Sequence, residues 1–202
     1  MGKHFSSSLE TTNMPSIVNT IISVSAILTM LLLCDGCDVT TTTLAEANGS
    51  FEILKNGLPI NWTFNPASFK KEDLDLKLDT TNPKDGKQAL EFDVYHCSDV
   101  GGVYSPGIFQ VIRITPGHTY KTTFWIKNRG CKFLVRLSCN KGYELGHVSK
   151  VLETSDSMDT WTKFEFLSPT YKNEIGIRFE LNILGPGTLW IDDIRIEEVT
   201  NQ

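Results

Sequence analysis

The sequence predicts an all-β fold, an antiparallel β-sandwich, and three observations carry that prediction. From Asn48 onward apolar and polar residues alternate with period two. Gly and Pro turn signals recur at short-strand intervals. No amphipathic helical stretch lies between them to serve as a crossover. The expected strands are residues 89–95, 108–114, 119–127, 132–139, 148–152, 162–167, 174–183 and 188–197. The turns are Pro83-Lys84-Asp85-Gly86, Pro116-Gly117, Asn128-Arg129-Gly130, Asn140-Lys141-Gly142 and Gly185-Pro186-Gly187.

Period two also assigns faces. In 119–127, Tyr120, Thr122, Phe124 and Ile126 share one side, with Lys121, Thr123, Trp125 and Lys127 on the other. In 132–139, Phe133, Val135, Leu137 and Cys139 oppose Leu134, Arg136 and Ser138. In 174–183, Ile175, Ile177, Phe179, Leu181 and Ile183 oppose Arg178, Glu180 and Asn182. One apolar and one polar face per strand is the pattern of two sheets packed through their inner sides. The polar faces and strand ends offer Tyr95, Trp125, Arg136, Arg178, Glu180 and Asn182. Aromatic rings for the C–H side of a sugar and charged or amide groups for its hydroxyls suit a carbohydrate. A plain solvated sheet face has the same composition.

The chain has 202 residues, with 19 Lys and Arg against 24 Asp and Glu, a formal net charge of −5. Residues 1–47 hold one Lys and four acids, whereas residues 48–202 hold 18 basic and 20 acidic residues. The later part is therefore near neutral and has no basic face for tracking phosphates, so no nucleic-acid partner is expected. Nineteen of the 20 aromatic residues also follow residue 47, which leaves the leading segment too little to build a core.

Residues 1–38 look like an address. No charged side chain occurs between Glu10 and Asp35, and residues 17–34 form a mostly apolar run of 18 residues. That length lies between a signal-peptide core and a membrane-spanning helix. Cys34 and Cys37 close the run, where a bacterial lipoprotein has its acylated cysteine. Gly36 suits the position before Cys37, but Cys34 and Asp35 fit poorly before it, and Leu33 is too large to precede Cys34. A lipoprotein signal is the first reading and a retained helix the second. Both put the domain outside the cytoplasm, secreted or anchored to the cell envelope. Residues 39–47, with the Thr40–Thr43 run, then serve as a tether.

Several points of the domain coincide with one family. Asn48-Gly49-Ser50-Phe51-Glu52 is followed by Gly57-Leu58-Pro59-Ile60-Asn61-Trp62 and by Gly86-Lys87-Gln88-Ala89-Leu90. Pro116-Gly117-His118-Thr119-Tyr120 runs into Phe124-Trp125, Trp161-Thr162-Lys163 precedes a strand, and Leu189-Trp190-Ile191-Asp192-Asp193-Ile194 closes the domain. This order resembles the carbohydrate-binding modules of the galactose-binding-like jelly-roll superfamily, the group of families 4, 9, 16 and 22, over residues 48–199. The resemblance implies a jelly roll whose chain ends meet. It also implies a structural calcium held by the Glu52 and Asp192 carboxylates and by main-chain oxygens near Gly49, Ser50 and Lys87. Oxygen donors of this kind suit calcium. Trp62, Trp161 and Trp190 fall on positions that are framework in this superfamily, and Trp125 is open between framework and ligand contact. Glycan contacts expected by position on the exposed face and loops are Tyr95, Tyr104, Gln110, Trp125, Arg136, Tyr143 and Glu180.

Other chemistry finds no support. No His-Glu-x-x-His, Gly-x-Ser-x-Gly, Gly-x-Gly-x-x-Gly or phosphate-cradling Gly-Lys-Ser/Thr motif occurs. Asp192 and Asp193 are adjacent on a strand and should face opposite ways, so they make no flanking acid–base pair. Cys131 and Cys139 bracket one strand and stand about 26 Å apart if extended, which excludes their pairing. Cys97 with either stays open in an oxidising compartment. The expectation is a non-enzymatic, exported module that binds a poly- or oligosaccharide. The alternative is an extracytoplasmic protein-interaction or structural sandwich without sugar binding.

Overall fold

The computed structural model describes residues 40–43, 47–65, 73–97, 99–141, 144–168 and 172–200. The expected address segment, residues 1–38, and Tyr143 lie outside the described residues. Thirteen strands follow in chain order: β1 (Thr40–Thr43), β2 (Leu54–Lys55), β3 (Leu58–Pro59), β4 (Thr63–Phe64), β5 (Leu74–Asp79), β6 (Ala89–Val94), β7 (Gly107–Arg113), β8 (Thr119–Arg129), β9 (Phe133–Lys141), β10 (Glu144–Thr154), β11 (Met158–Leu167), β12 (Gly176–Ile183) and β13 (Gly187–Thr200). A 3-10 turn, Gly102–Tyr104, precedes β7.

One sheet has the order β11-β8-β13-β6-β5, with β1 also pairing β13. The other has the order β10-β9-β12-β7-β4, and β2 and β3 form a small hairpin. Every pairing is antiparallel. The expected β-sandwich is the observed fold, and apart from Ile175 the inward faces assigned by alternation are the observed ones. Tyr120, Phe124 and Ile126 of β8 are buried against Phe133, Val135 and Leu137 of β9 and Ile177, Phe179 and Leu181 of β12. Phe124 joins the layers, its ring centroid 5.4 Å from Phe164 on its own sheet and 5.4 Å edge-on to Phe179 of the other. Phe124 and Phe179 are fully buried, and truncating either to Ala costs about 3–5 kcal/mol.

Four features differ from the expectation. Thr40–Thr43, assigned to the tether, is a strand in register with Glu197–Thr200 of β13. A β-branched run has high strand propensity, and β13 is long enough to extend past β6 and offer it a partner. Leu74–Asp79 forms β5, where no strand was expected; its alternating leucines pack onto the core beside β6. Ile175, expected on the core face, is 49% exposed, because β12 begins one residue later. Asp192 and Asp193 do not simply alternate: β13 shifts register between Asp192 and Arg195, and Asp193 takes the extra position with φ of 49°. No helix among the described residues is long and apolar enough to cross a membrane.

Candidate functional site

Strand β12 is central in the five-stranded sheet, so its outward side chains have neighbours on both flanks. Arg178, Glu180 and Asn182 share that face and are hydrogen-bonded in a row. Arg178 Nε donates to Glu180 Oε2 at 3.0 Å, and Asn182 Nδ2 donates to Glu180 Oε1 at 3.0 Å. The Arg178 guanidinium carbon also lies 3.6 Å from the centroid of Phe109 on β7. Register places Arg136 and Phe109 opposite Glu180, and Ser138 and Val111 opposite Arg178. Glu180 is 9% exposed and Asn182 is fully buried. Polar groups buried this far need partners, and the row supplies most of them internally. Asn182 Oδ1 has no hydrogen-bond partner among the described residues.

A loop rims one end of this face. Ile183 donates to the Pro106 carbonyl at 2.8 Å, and the Asn65 amide donates to the Gly102 carbonyl at 3.3 Å, so the 3-10 turn is tied to β12 and to the end of β4. Gly101 begins the turn with φ of 83°, and its N–H donates to Ser105 Oγ at 2.9 Å. A Cβ built on Gly101 would lie 3.7 Å from Arg136 Nη2 and 3.8 Å from Asn182 Oδ1. Tyr104, at the end of the turn, is 68% exposed. The result is a fixed floor of donors and acceptors with an aromatic ring at its edge.

Of the expected glycan contacts, Arg136 and Glu180 thus lie together on this face, with Tyr104 in its rim loop. Gln110 does not join them. It is 6% exposed and alternates with Ile108 and Ile112 on the inward side of β7, so the expected contact is corrected to a core position. Trp125 and Tyr95 belong to the other sheet. Trp125 projects from its outer face with Lys84 Nζ 3.8 Å from the ring centroid, while the Tyr95 hydroxyl donates to Asp93 Oδ2 at 3.3 Å. Lys127 lies 4.2 Å from the Trp190 centroid and 5.4 Å from that of Trp161. Ammonium groups therefore cover indole faces on this sheet. Trp62 packs instead in the core, its centroid 5.5 Å from Phe51. Arg178 and Asn182, placed on the polar face by alternation but not among the expected contacts, belong to this face, and Phe109 joins them unforeseen. Period two from Glu180 reaches the first two, but nothing local marks Phe109, which needs the β7–β12 register.

A second constellation joins the segment around residues 48–52 to β13. The Ile194 N–H, turned by the Asp193 bulge, donates to the Gly49 carbonyl at 3.0 Å, and the Asn48 side chain bonds to Ile53 and Ile60. Glu52 Oε1 accepts from the N–H groups of Lys87 (2.8 Å) and Gln88 (3.0 Å). Asp192 Oδ2 accepts from Lys84 (2.8 Å) and Asp85 (3.0 Å), and its Oδ1 from Asp193 (2.7 Å). Burial nevertheless pushes the Asp192 carboxyl up to about 6, against those three donors. Among the described residues no group of three or more His, Cys, Asp or Glu side chains is arranged to hold a metal ion. The junction gathers two carboxylates and backbone carbonyls, oxygen donors of the kind calcium takes, and backbone N–H groups occupy Glu52 Oε1 and both Asp192 oxygens.

No family model matches the chain. An α-L-arabinofuranosidase 1 of Arabidopsis thaliana is 27% identical over 115 residues, which cover 54% of this chain and 17% of that protein. The chain therefore spans about a sixth of the curated relative it matches. Among solved structures, the CBM22-1 xylan-binding domain of Paenibacillus barcinonensis Xyn10C superposes with a TM-score of 0.53 at 12% identity, over 76% of this chain and 94% of that one. A family 4 carbohydrate-binding module gives a TM-score of 0.50 at 13% identity, over 75% and 97%. The enzymatically active domain of bacteriophage CBA120 tailspike protein 4 gives 0.56 at 14% identity, over 75% of this chain and 21% of that one. The fold is the jelly-roll sandwich of the carbohydrate-binding modules of families 4 and 22.

Proposed function

We propose that residues 48–199 form a non-catalytic polysaccharide-binding module whose ligand lies along the outer face of the five-stranded sheet. The observation that carries this reading is the Arg178–Glu180–Asn182 row. Its charged and amide groups are aligned on a central strand and immobilised by mutual hydrogen bonds. Arg178 and the exposed edge of Glu180 pair with sugar hydroxyls without a second cost for their own ordering, and the buried Asn182 holds Glu180 in place. Arg136 extends the row onto β9, and Tyr104 offers a ring at the rim. The solved neighbours include xylan-binding domains, which supports a plant-type polysaccharide as the class to try first. Affinity electrophoresis of the domain through gels containing xylan, arabinoxylan or β-glucan tests it. Retardation by at least one is expected, without release of reducing sugar. Unretarded migration in every gel refutes the reading, and product release makes the protein an enzyme.

The same proposal includes export, with residues 1–38 as a lipoprotein signal or membrane anchor. Fractionation of expressing cells and acyl labelling at Cys37 test that part; a cytoplasmic, unlabelled product would overturn it. It also includes a structural calcium at the junction of Gly49, Ser50, Glu52, Lys87 and Asp192. Calcium would supply there the positive charge that the buried Asp192 carboxylate lacks.

A further inference from the structure

The proposed glycan-binding face gives the cysteines no task, and the topology brings two of them, Cys97 and Cys131, to one end of the six-stranded sheet. β6 and β8 both pair antiparallel with β13, so they run parallel to each other and leave the sheet at the same end. Their last residues, Val94 and Arg129, stand opposite Gly187 and Thr188, two strand spacings or about 10 Å apart. The chain after β8 narrows that gap. Gly187 has φ of 134°, and a Cβ built on it would lie only 2.6 Å from the Cys131 amide nitrogen. Cys131 is therefore packed against the residue that Val94 pairs with. Asn128 holds it there, donating to the Cys131 carbonyl at 2.9 Å and accepting from the Cys131 N–H at 3.1 Å. Cys131 belongs to the buried core cluster, and Cys97, three residues past Val94, packs half-buried against the same cluster. Burial raises the Cys131 thiol to about 12, and the charge of Cys97 is the next largest cause, as expected of neighbours. Cys139 lies on the core face at the far end of β9, away from both.

We propose that Cys97 and Cys131 are a disulfide pair that anchors the Tyr104 rim loop to the connection between β8 and β9. The half-buried Cys97 thiolate attacks a small disulfide oxidant, such as oxidised glutathione, forming a mixed disulfide and releasing one glutathione thiolate. Cys131 then gives up its proton and attacks the Cys97 sulfur, and the second glutathione leaves. Two protein thiols are oxidised by two electrons, and one oxidant disulfide becomes two thiols carrying the two protons. Because the segment from Cys97 to β7 contains Gly101 and Tyr104, the bridge fixes the rim of the proposed binding face. That consequence, unlike the bridge itself, rests on the glycan reading.

The full chain, purified reduced and then exposed to oxidised glutathione, is digested and analysed by mass spectrometry. A linked peptide pair joining Cys97 to Cys131 is expected, with Cys139 outside the bridge, and C97S and C131S each remove it. A lasting glutathione adduct on Cys97 with Cys131 free, or a bridge to Cys139, overturns the pairing. Oxidation should raise the melting temperature of wild type but not of C97S, since a bridge restricts the unfolded chain. Affinity for soluble xylan is measured in both redox states, and tighter binding by the oxidised form is expected. Equal affinity overturns the anchoring role. Should xylan bind neither state, the function proposed above fails, while the linked peptide still decides the bridge.

Discussion

Glu180 accepts from Arg178 on one oxygen and from Asn182 on the other, so its carboxylate is both buried and oriented. Replacement by Gln keeps the shape and one acceptor oxygen but turns an NH2 toward one of two donors. Hydrogen bonds to a charged group are worth about 1.5–3 kcal/mol. Glu180→Gln is therefore expected to weaken polysaccharide binding roughly 10- to 100-fold while leaving the fold intact, checked by affinity electrophoresis beside a far-UV circular dichroism spectrum. Trp125→Ala serves as the contrast. Trp125 projects from the opposite sheet under Lys84, so its loss should leave the affinity within about 2-fold, as for a residue distant from the ligand. A large loss on Trp125→Ala with none on Glu180→Gln would move the binding face to the other sheet.

At the scale of the element, β13 organises its sheet, pairing β8 along most of its length, β6 over Gly187–Ile191 and β1 at its end. Removing residues 1–43 leaves Glu197–Thr200 without their β1 partner and opens a short edge. Cross-strand pairs contribute roughly 0.2–1 kcal/mol each, so the truncated domain should melt only a few degrees lower and bind ligand unchanged. Thermal denaturation and size-exclusion chromatography decide this. A collapse of stability would show β1 to be integral, and an unchanged melting temperature would show that its pairing contributes nothing. The long strands were readable in the sequence because each alternates over enough residues to outweigh local noise. The same alternation placed Arg136 and Glu180 outward. β2, β3 and β4 are two residues each, too short for any period to register, and they exist because the sheets supply partners. Gln110 shows the complementary limit: a polar residue on an inward position follows the strand's alternation and not its own polarity. The face as a set was unreadable, since the β7–β12–β9 register, which brings Phe109, Glu180 and Arg136 into one row, joins segments remote in sequence.

On the scale of the whole molecule, the question is what keeps the two ends of the domain together. The first turn, the Gly86-Lys87 turn and the bulge of β13 meet through Glu52, Asp192 and the Gly49 carbonyl. N–H donors alone make this junction, or they share it with a cation, and the two cases respond differently to the same change. A cation bound only by the native state stabilises by about 2.7 kcal/mol at a hundredfold excess over its dissociation constant. For a domain of this size that amounts to a rise of roughly 5–10 °C in melting temperature. Glu52→Gln separates the cases, because its side-chain carbonyl still accepts from Lys87 and Gln88 but carries no charge. With calcium in place, wild type should melt roughly 5–10 °C higher in calcium than in EDTA. Glu52→Gln should melt near the EDTA-treated wild type under both conditions. If wild type is indifferent to chelation, the N–H bonds alone close the junction and the calcium proposal fails. A Glu52→Gln variant that unfolds regardless of calcium would show the carboxylate charge itself to be structural.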